Sequence, residues 1–104
     1  MERVCFTFKI YPGQEAEYKR RHYEIWPDLV AAIQAAGLRN YSLFRRDQDV
    51  IGYVECHPDM TSAFARLAEH EATARWNTWF EDVIVSLTDE NGELNKVDEV
   101  WHLD

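Results

Sequence analysis

Tyr18, His22 and Trp26 recur at four-residue intervals within Tyr18-Lys19-Arg20-Arg21-His22-Tyr23-Glu24-Ile25-Trp26-Pro27. On a helix that spacing stacks a phenol, an imidazole and an indole on one face. An ordinary amphipathic helix would carry Leu, Ile or Val there. Each of these three side chains instead joins an apolar ring to a polar handle. The set suits a small polar ligand with an apolar side, such as a sugar ring. His22 is the member best able to move protons near neutral pH. The competing reading is a helix that packs an aromatic face into the core, with Trp26 closing it against Pro27.

A second tract, Ala74-Arg75-Trp76-Asn77-Thr78-Trp79-Phe80, has the same two readings. Trp76 and Phe80 share a helix face and can pack in the core. Asn77 beside Trp76 also sets an amide donor and acceptor next to a flat apolar ring, and a sugar offers hydroxyls and a C–H face to match. A third tract, Asn40-Tyr41-Ser42, places Tyr41 at the start of an expected strand, where it can equally pack in the sheet.

Other chemistries lack their residues. The four histidines (22, 57, 70 and 102) have no i, i+4 pairing on one helix, and His70-Glu71 beside Glu69 reads as a solvated segment, so no metal site is expected. Ser42, Ser62 and Ser86 lack a Gly-x-Ser-x-Gly setting. Glycines stand singly at 13, 37, 52 and 92, without a phosphate-cradling loop, and no cofactor is expected.

The 104 residues suffice for one domain spanning 1–104, and a 46% hydrophobic share supports a packed core. Nineteen acidic against 11 basic residues give a net charge of -8, which disfavours nucleic acid and anionic membranes as partners. The N-terminal stretch alternates and lacks a signal-peptide run, and no apolar run approaches the ~20 residues that span a bilayer. Cys5 and Cys56, without metal-type spacing, read as reduced thiols of a cytoplasmic protein.

The elements that must position these residues follow from periodicity. Val4, Phe6, Phe8 and Ile10 alternate as a first strand. After Tyr11-Pro12-Gly13 a helix begins near Gln14, breaks at Trp26-Pro27, and resumes through Leu29, Ile33 and Ala36 to a cap at Gly37. Leu38 to Arg46 and Val50 to His57 form a hairpin through Asp47-Gln48-Asp49. Phe64, Leu67 and Ala68 mark a further helix, Thr73 to about Leu87 another, and Lys96 to Leu103 a last strand. The order β-α-β-β-α-β predicts an α+β, ferredoxin-like fold with helices on one sheet face. Apolar residues on both faces of the strands predict a homodimer that packs sheet on sheet.

Tyr18-x-x-Arg21-His22-x-x-Ile25-Trp26-Pro27, Gly37-x-x-Asn40-Tyr41 and Arg75-Trp76 together resemble the L-rhamnose mutarotase family, and the similarity continues to the closing Glu99-Val100-Trp101-His102-Leu103. The resemblance implies a dimeric α+β barrel, an isomerase that interconverts the anomers of L-rhamnose or a closely related 6-deoxyhexose. It implies His22 as proton donor, with Tyr18, Tyr41 and the Trp76-Asn77 region contacting the monosaccharide. Asn77 departs from the family's frequent second tryptophan at this place. A non-catalytic sugar-binding module on the same barrel would use the same aromatics. A cofactor-independent monooxygenase of this architecture would call for a larger, drier pocket.

Overall fold

The computed structural model describes residues 1–104. Its elements are β1 (Glu2–Ile10), α1 (Glu15–Tyr23), α2 (Pro27–Ala36), β2 (Leu38–Arg46), β3 (Asp49–Cys56), α3 (Met60–Ala68), α4 (Glu71–Trp79), β4 (Ile84–Ser86) and β5 (Lys96–Val97). The expected α+β plan holds, with each helical region split in two. The sheet is antiparallel in the order β2-β3-β1-β4, and β5 pairs with the same edge of β1 as β4.

Strand register decides what faces the helices. Val4 pairs with Val54, Phe6 with Gly52 and Phe8 with Val50, and these even-numbered positions are buried. The odd positions, Arg3, Cys5, Thr7 and Lys9 opposite Glu55, Tyr53, Ile51 and Asp49, lie on the outer face. Cys5 and Cys56 therefore sit on opposite faces, and both are free thiols.

Local chemistry explains the breaks. Pro27 holds Trp26 extended (φ -71°, ψ 137°), so α1 and α2 are separate helices. Gly37 ends α2 at φ 98°, and a Cβ there would lie 2.2 Å from the His57 carbonyl oxygen. Only glycine meets both conditions. The Asp59 carboxylate caps α3 by accepting from the Ser62 N–H at 2.8 Å.

Two expectations are corrected. The helix expected to run from Thr73 to about Leu87 ends at Trp79, and Ile84–Ser86 pairs with Lys9 and Ile10 of β1. The β-branched run Val83-Ile84-Val85 suits a strand, and the free edge of β1 supplies its hydrogen bonds. The strand expected from Lys96 to Leu103 is reduced to Lys96–Val97. Past it the chain still runs beside β1, with Arg3 bonded to Glu99 at 2.9 Å, but the backbone ladder does not continue and Trp101 is left 75% exposed.

Arg21 is the one charged residue among the buried set, at 7% exposure. Its Nε donates to Glu17 Oε2 at 2.7 Å, and Nη1 donates to the Trp79 carbonyl at 2.6 Å and to Asp82 Oδ1 at 3.0 Å. The guanidinium also lies over the Trp79 ring, 4.8 Å from its centroid. Arg21 thus satisfies an orphan carbonyl at the C-terminus of α4 while anchoring α1 beside it.

The Phe6 ring occupies the space over Gly52, where an added Cβ would fall 2.3 Å from Phe6 Cζ. Gly52→Ala is expected to cost about 1–3 kcal/mol in urea unfolding through overpacking. Combined with Phe6→Leu, the loss should be smaller than the sum of the single losses. Simple additivity would show that close approach is not what requires glycine at 52.

Candidate functional site

Between the sheet and the helix layer lies a cavity of about 240 Å³ whose walls include Tyr18, His22, Tyr41, Thr73, Trp76 and Asn77. A groove of about 520 Å³ adjoins it, sharing His22, Tyr41 and Trp76 and reaching Arg39 and Asn40.

Helix α1 supplies Tyr18 and His22 on one face, as their spacing predicts. Their rings lie 4.4 Å apart, and His22 is enclosed further by Phe80 (5.1 Å) and Trp76 (5.3 Å). Trp26 does not complete the stripe, because the chain leaves the helix before it. Its ring stacks on Trp79 at 5.2 Å and meets Trp76 edge-on at 5.2 Å, behind the cavity wall. Arg21, next to His22 in sequence, points away from the cavity into its ion pairs with Glu17 and Asp82.

Tyr41 reaches the cavity through a defect in the sheet. Arg39 pairs with Glu55 and Ser42 with Tyr53, so Asn40 and Tyr41 together oppose the single residue Val54. This is a β-bulge, with Asn40 at φ 48°. Regular alternation would turn Asn40 inward and Tyr41 outward. The extra residue reverses them: Asn40 Nδ2 donates to Glu55 Oε1 at 2.7 Å on the outer face, and the Tyr41 ring meets Phe6 at 6.3 Å beneath the helices.

Helix α4 contributes Trp76 and, at the exposed edge, Asn77. Trp76 serves both readings of its tract. It packs on Phe80 at 4.6 Å and on Trp79 at 5.5 Å while presenting its remaining surface to the cavity. Thr73, one turn earlier, also lines the wall, and sequence reasoning missed it. The available signal was its i, i+3 and i, i+4 relation to Trp76 and Asn77.

Electrostatics assign protonation states. His22 Nδ1 lies 2.9 Å from the Tyr18 carbonyl oxygen. A carbonyl only accepts, so Nδ1 carries the hydrogen and Nε2 is the free nitrogen. Burial pulls the His22 pKa below its ordinary value, partly offset by that backbone bond, and the ring is neutral at neutral pH. Burial pushes the Tyr18 phenol well above the usual tyrosine range and Tyr41 up to about 12. Both phenols stay protonated. No Asp, Glu, Lys or Arg lines the cavity, and no cluster of three or more His, Cys, Asp or Glu side chains converges anywhere to hold a metal ion. No helix is long and apolar enough to cross a membrane.

Solved structures share this fold over the full chain. The crystal structure of L-rhamnose mutarotase from Formosa agariphila superposes with a TM-score of 0.80 at 23% identity, covering 100% of both chains. Tetracenomycin F2 cyclase from Streptomyces glaucescens, a type-II polyketide cyclase, gives 0.74 at 15% identity, covering 100% of this chain and 98% of the other. At such identities they speak to fold alone. Sequence relatives go further. The L-rhamnose mutarotase of Oceanobacillus iheyensis is 30% identical over 100% of both chains, and that of Acidiphilium cryptum 34% identical over 99% of both. The family model for L-rhamnose mutarotase matches residues 3–103. With its whole length matched, the chain belongs to the L-rhamnose mutarotase family of isomerases.

Proposed function

We propose that this protein interconverts the α and β anomers of L-rhamnose, or of a closely related 6-deoxyhexose, by general acid–base ring opening and closure. The observation that carries the reading is the neutral His22 held by the Tyr18 carbonyl, with Nε2 as its unsatisfied nitrogen in a cavity lined by aromatic rings and neutral polar groups. Neutral Nε2 takes the proton of the anomeric hydroxyl while the ring oxygen gains one, and the C–O bond opens to the aldehyde. The C1–C2 bond rotates. On closure the imidazolium returns its proton to the anomeric oxygen, so His22 is base in opening and donor in closing. Tyr18 and Tyr41, held protonated, donate hydrogen bonds to ring and hydroxyl oxygens and do not act as bases. A bound water or a phenol completes the second proton path. Trp76 walls the apolar sugar face and Asn77 addresses a hydroxyl at the rim. No step calls for a metal or cofactor.

A second copy stacked on the outer sheet face would cover Ile51 and Phe44, which are exposed in the single chain. We propose that homodimer as the working form. Cytoplasmic residence fits the free thiols on the two sheet faces. Sedimentation at micromolar concentration is expected to give a species near twice the 12.3 kDa chain mass. A 12.3 kDa species would remove the dimer.

Saturation-transfer NMR between anomers measures the reaction directly. His22→Asn should retain its fold and lose about 10²–10⁴-fold in enzyme-catalysed exchange. Because burial lowers the His22 pKa, neutral base persists to more acidic pH than for a free histidine. Activity above the spontaneous rate should be level from neutrality upward and fall with acidification through an apparent pKa below ~6.5. A rate that climbs as pH falls would make the imidazolium the initiating acid and overturn the base-first order. Wild-type exchange in the His22→Asn variant would favour the binding-module alternative.

Trp76→Ala should cost stability, about 3 kcal/mol given its packing on Phe80 and Trp79, and raise KM more than it lowers kcat. Asn77 is exposed and makes no side-chain hydrogen bond within the chain, so Asn77→Ala should shift stability by less than about 0.5 kcal/mol. Its KM effect should appear only with sugars whose nearby hydroxyl has the right orientation. Equal KM values across epimers would take Asn77 out of the site.

A further inference from the structure

Two buried side-chain oxygens in this chain lack any hydrogen-bond partner, the Tyr18 hydroxyl and Thr73 Oγ1. Both residues line the same cavity. A buried hydroxyl without a partner destabilises the fold, and such groups are rare enough in native structures to require a reason. Tyr18 has one in the family motif. Thr73 belongs to none of the tracts that carry the family resemblance.

A helical threonine can turn its hydroxyl back to the carbonyl three or four residues earlier. Thr73 stands in the first turn of α4, where the His70 carbonyl accepts the Thr73 N–H at 3.1 Å but no bond from Oγ1. The residue four back, Glu69, closes the preceding helix α3 and lies outside α4. The side chain shares the helix face of Trp76 and Asn77, and the α3 part of the wall, Phe64, Leu67 and Ala68, offers no polar side chain.

We propose that Thr73 is a specificity-determining residue whose hydroxyl bonds one ring hydroxyl of the bound monosaccharide, with the positions flanking that hydroxyl left to C–H or methyl groups. The inference rests on the mutarotase reading and deepens it. Threonine in a helix populates two χ1 rotamers, so a change of rotamer can turn Oγ1 from the covering side chains to the ligand. Free protein carries the unsatisfied group, and the sugar relieves it. The α3 part of the wall beside Thr73 is apolar and suits the C–H or methyl groups of the sugar.

Thr73→Val keeps the shape and removes the hydroxyl; Thr73→Ser restores it. In ligand-free protein, Thr73→Val is expected to melt at the wild-type temperature or slightly above. Its KM for L-rhamnose in anomer exchange should rise about 3–10-fold, the worth of one neutral hydrogen bond, with a smaller change in kcat, and Thr73→Ser should recover most of the loss. With singly deoxygenated rhamnoses, wild type and Thr73→Val should converge on one member of the series, which identifies the hydroxyl. If valine at 73 prevents folding, Thr73→Ala is read on the same panel. An active wild type with Thr73→Val unchanged in KM for every sugar overturns the inference and leaves Thr73 a wall residue or the seat of a trapped water. A wild type that accelerates no exchange overturns the mutarotase reading itself, and this inference falls with it.

Discussion

The guanidinium of Arg21 is the contact on which the rest of the site depends. His22 comes from the first helical pair and Trp76 from the second. Helices α1 and α4 meet where the His22 and Trp76 rings pack edge-on, and Arg21 adds the polar tie: its three donor nitrogens reach Glu17, the Trp79 carbonyl and Asp82, and its flat face covers the Trp79 ring. A lysine could supply the charge but neither the fork nor the stacking plane. The same side chain that sits next to His22 in sequence therefore sets the distance between His22 and the wall opposite. Its partners reach solvent, so the ion pairs need little desolvation of the carboxylates, while the guanidinium gains a site that matches every face it presents. Arg21 holds Asp82 below the usual carboxylate range. The ion pair is thus intact at any pH where the histidine chemistry runs.

The opposing constraint comes from the sheet. A period of two gives each strand residue one face, and a helix-covered sheet needs its inward positions filled by apolar side chains. Tyr41 belongs to the face that alternation would expose. The bulge at Asn40 exchanges the two faces for one step, and Ser42 and Leu43 then resume a register in which Leu43 pairs inward with Gly52. Asn40 suits the bend because its short amide tolerates a positive φ and finds Glu55 outside, whose other carboxylate oxygen accepts from the Tyr53 hydroxyl at 2.9 Å. An outer-face hydrogen-bond chain thus fixes an inner-face phenol.

Much of this was legible from residue types. Alternation gave β1 and β3, Pro27 and Gly37 bounded α2, and the Tyr18–His22 spacing put both rings in one cavity. What failed did so where two signals overlapped. Between Thr73 and Asn91 neither glycine nor proline interrupts the chain, and Trp76, Phe80, Val83 and Leu87 keep helical spacing, so only the free edge of β1 reveals that Ile84–Ser86 is a strand. Alternation also extended the last strand to Leu103, whereas past Val97 the link to β1 passes to side chains, Arg3 with Glu99. Trp26 fits the stripe in number but not in space, because the proline after it forbids the helix that the counting assumes. Tyr41 looked ambiguous because a bulge leaves no mark on hydrophobic pattern. Thr73 carried only the faint signal of its helical spacing to Trp76 and Asn77: a threonine ahead of an aromatic tract is unremarkable until its oxygen is seen to lack a partner.

The cavity's neutrality bears on the order of proton movements. Its polar groups are two protonated phenols, a neutral imidazole, a threonine and an amide, and none brings a permanent charge. Such a site has no fixed charge to stabilise either an alkoxide or a free imidazolium, and the burial that depresses the His22 pKa disfavours the imidazolium directly. A stepwise path would form one of these ions before neutralising it. In the proposed reaction a coupled path avoids both: as Nε2 draws the anomeric proton, the ring oxygen takes one from a neighbouring donor, and charge separation stays brief and short-ranged. The Tyr18 carbonyl assists from behind, since its acceptance of the Nδ1 hydrogen strengthens as the imidazole gains charge. The same backbone oxygen that sets the tautomer therefore softens the penalty that burial imposes. Under the proposed function, the groups that would bind a neutral sugar in this cavity are also the ones that would open it.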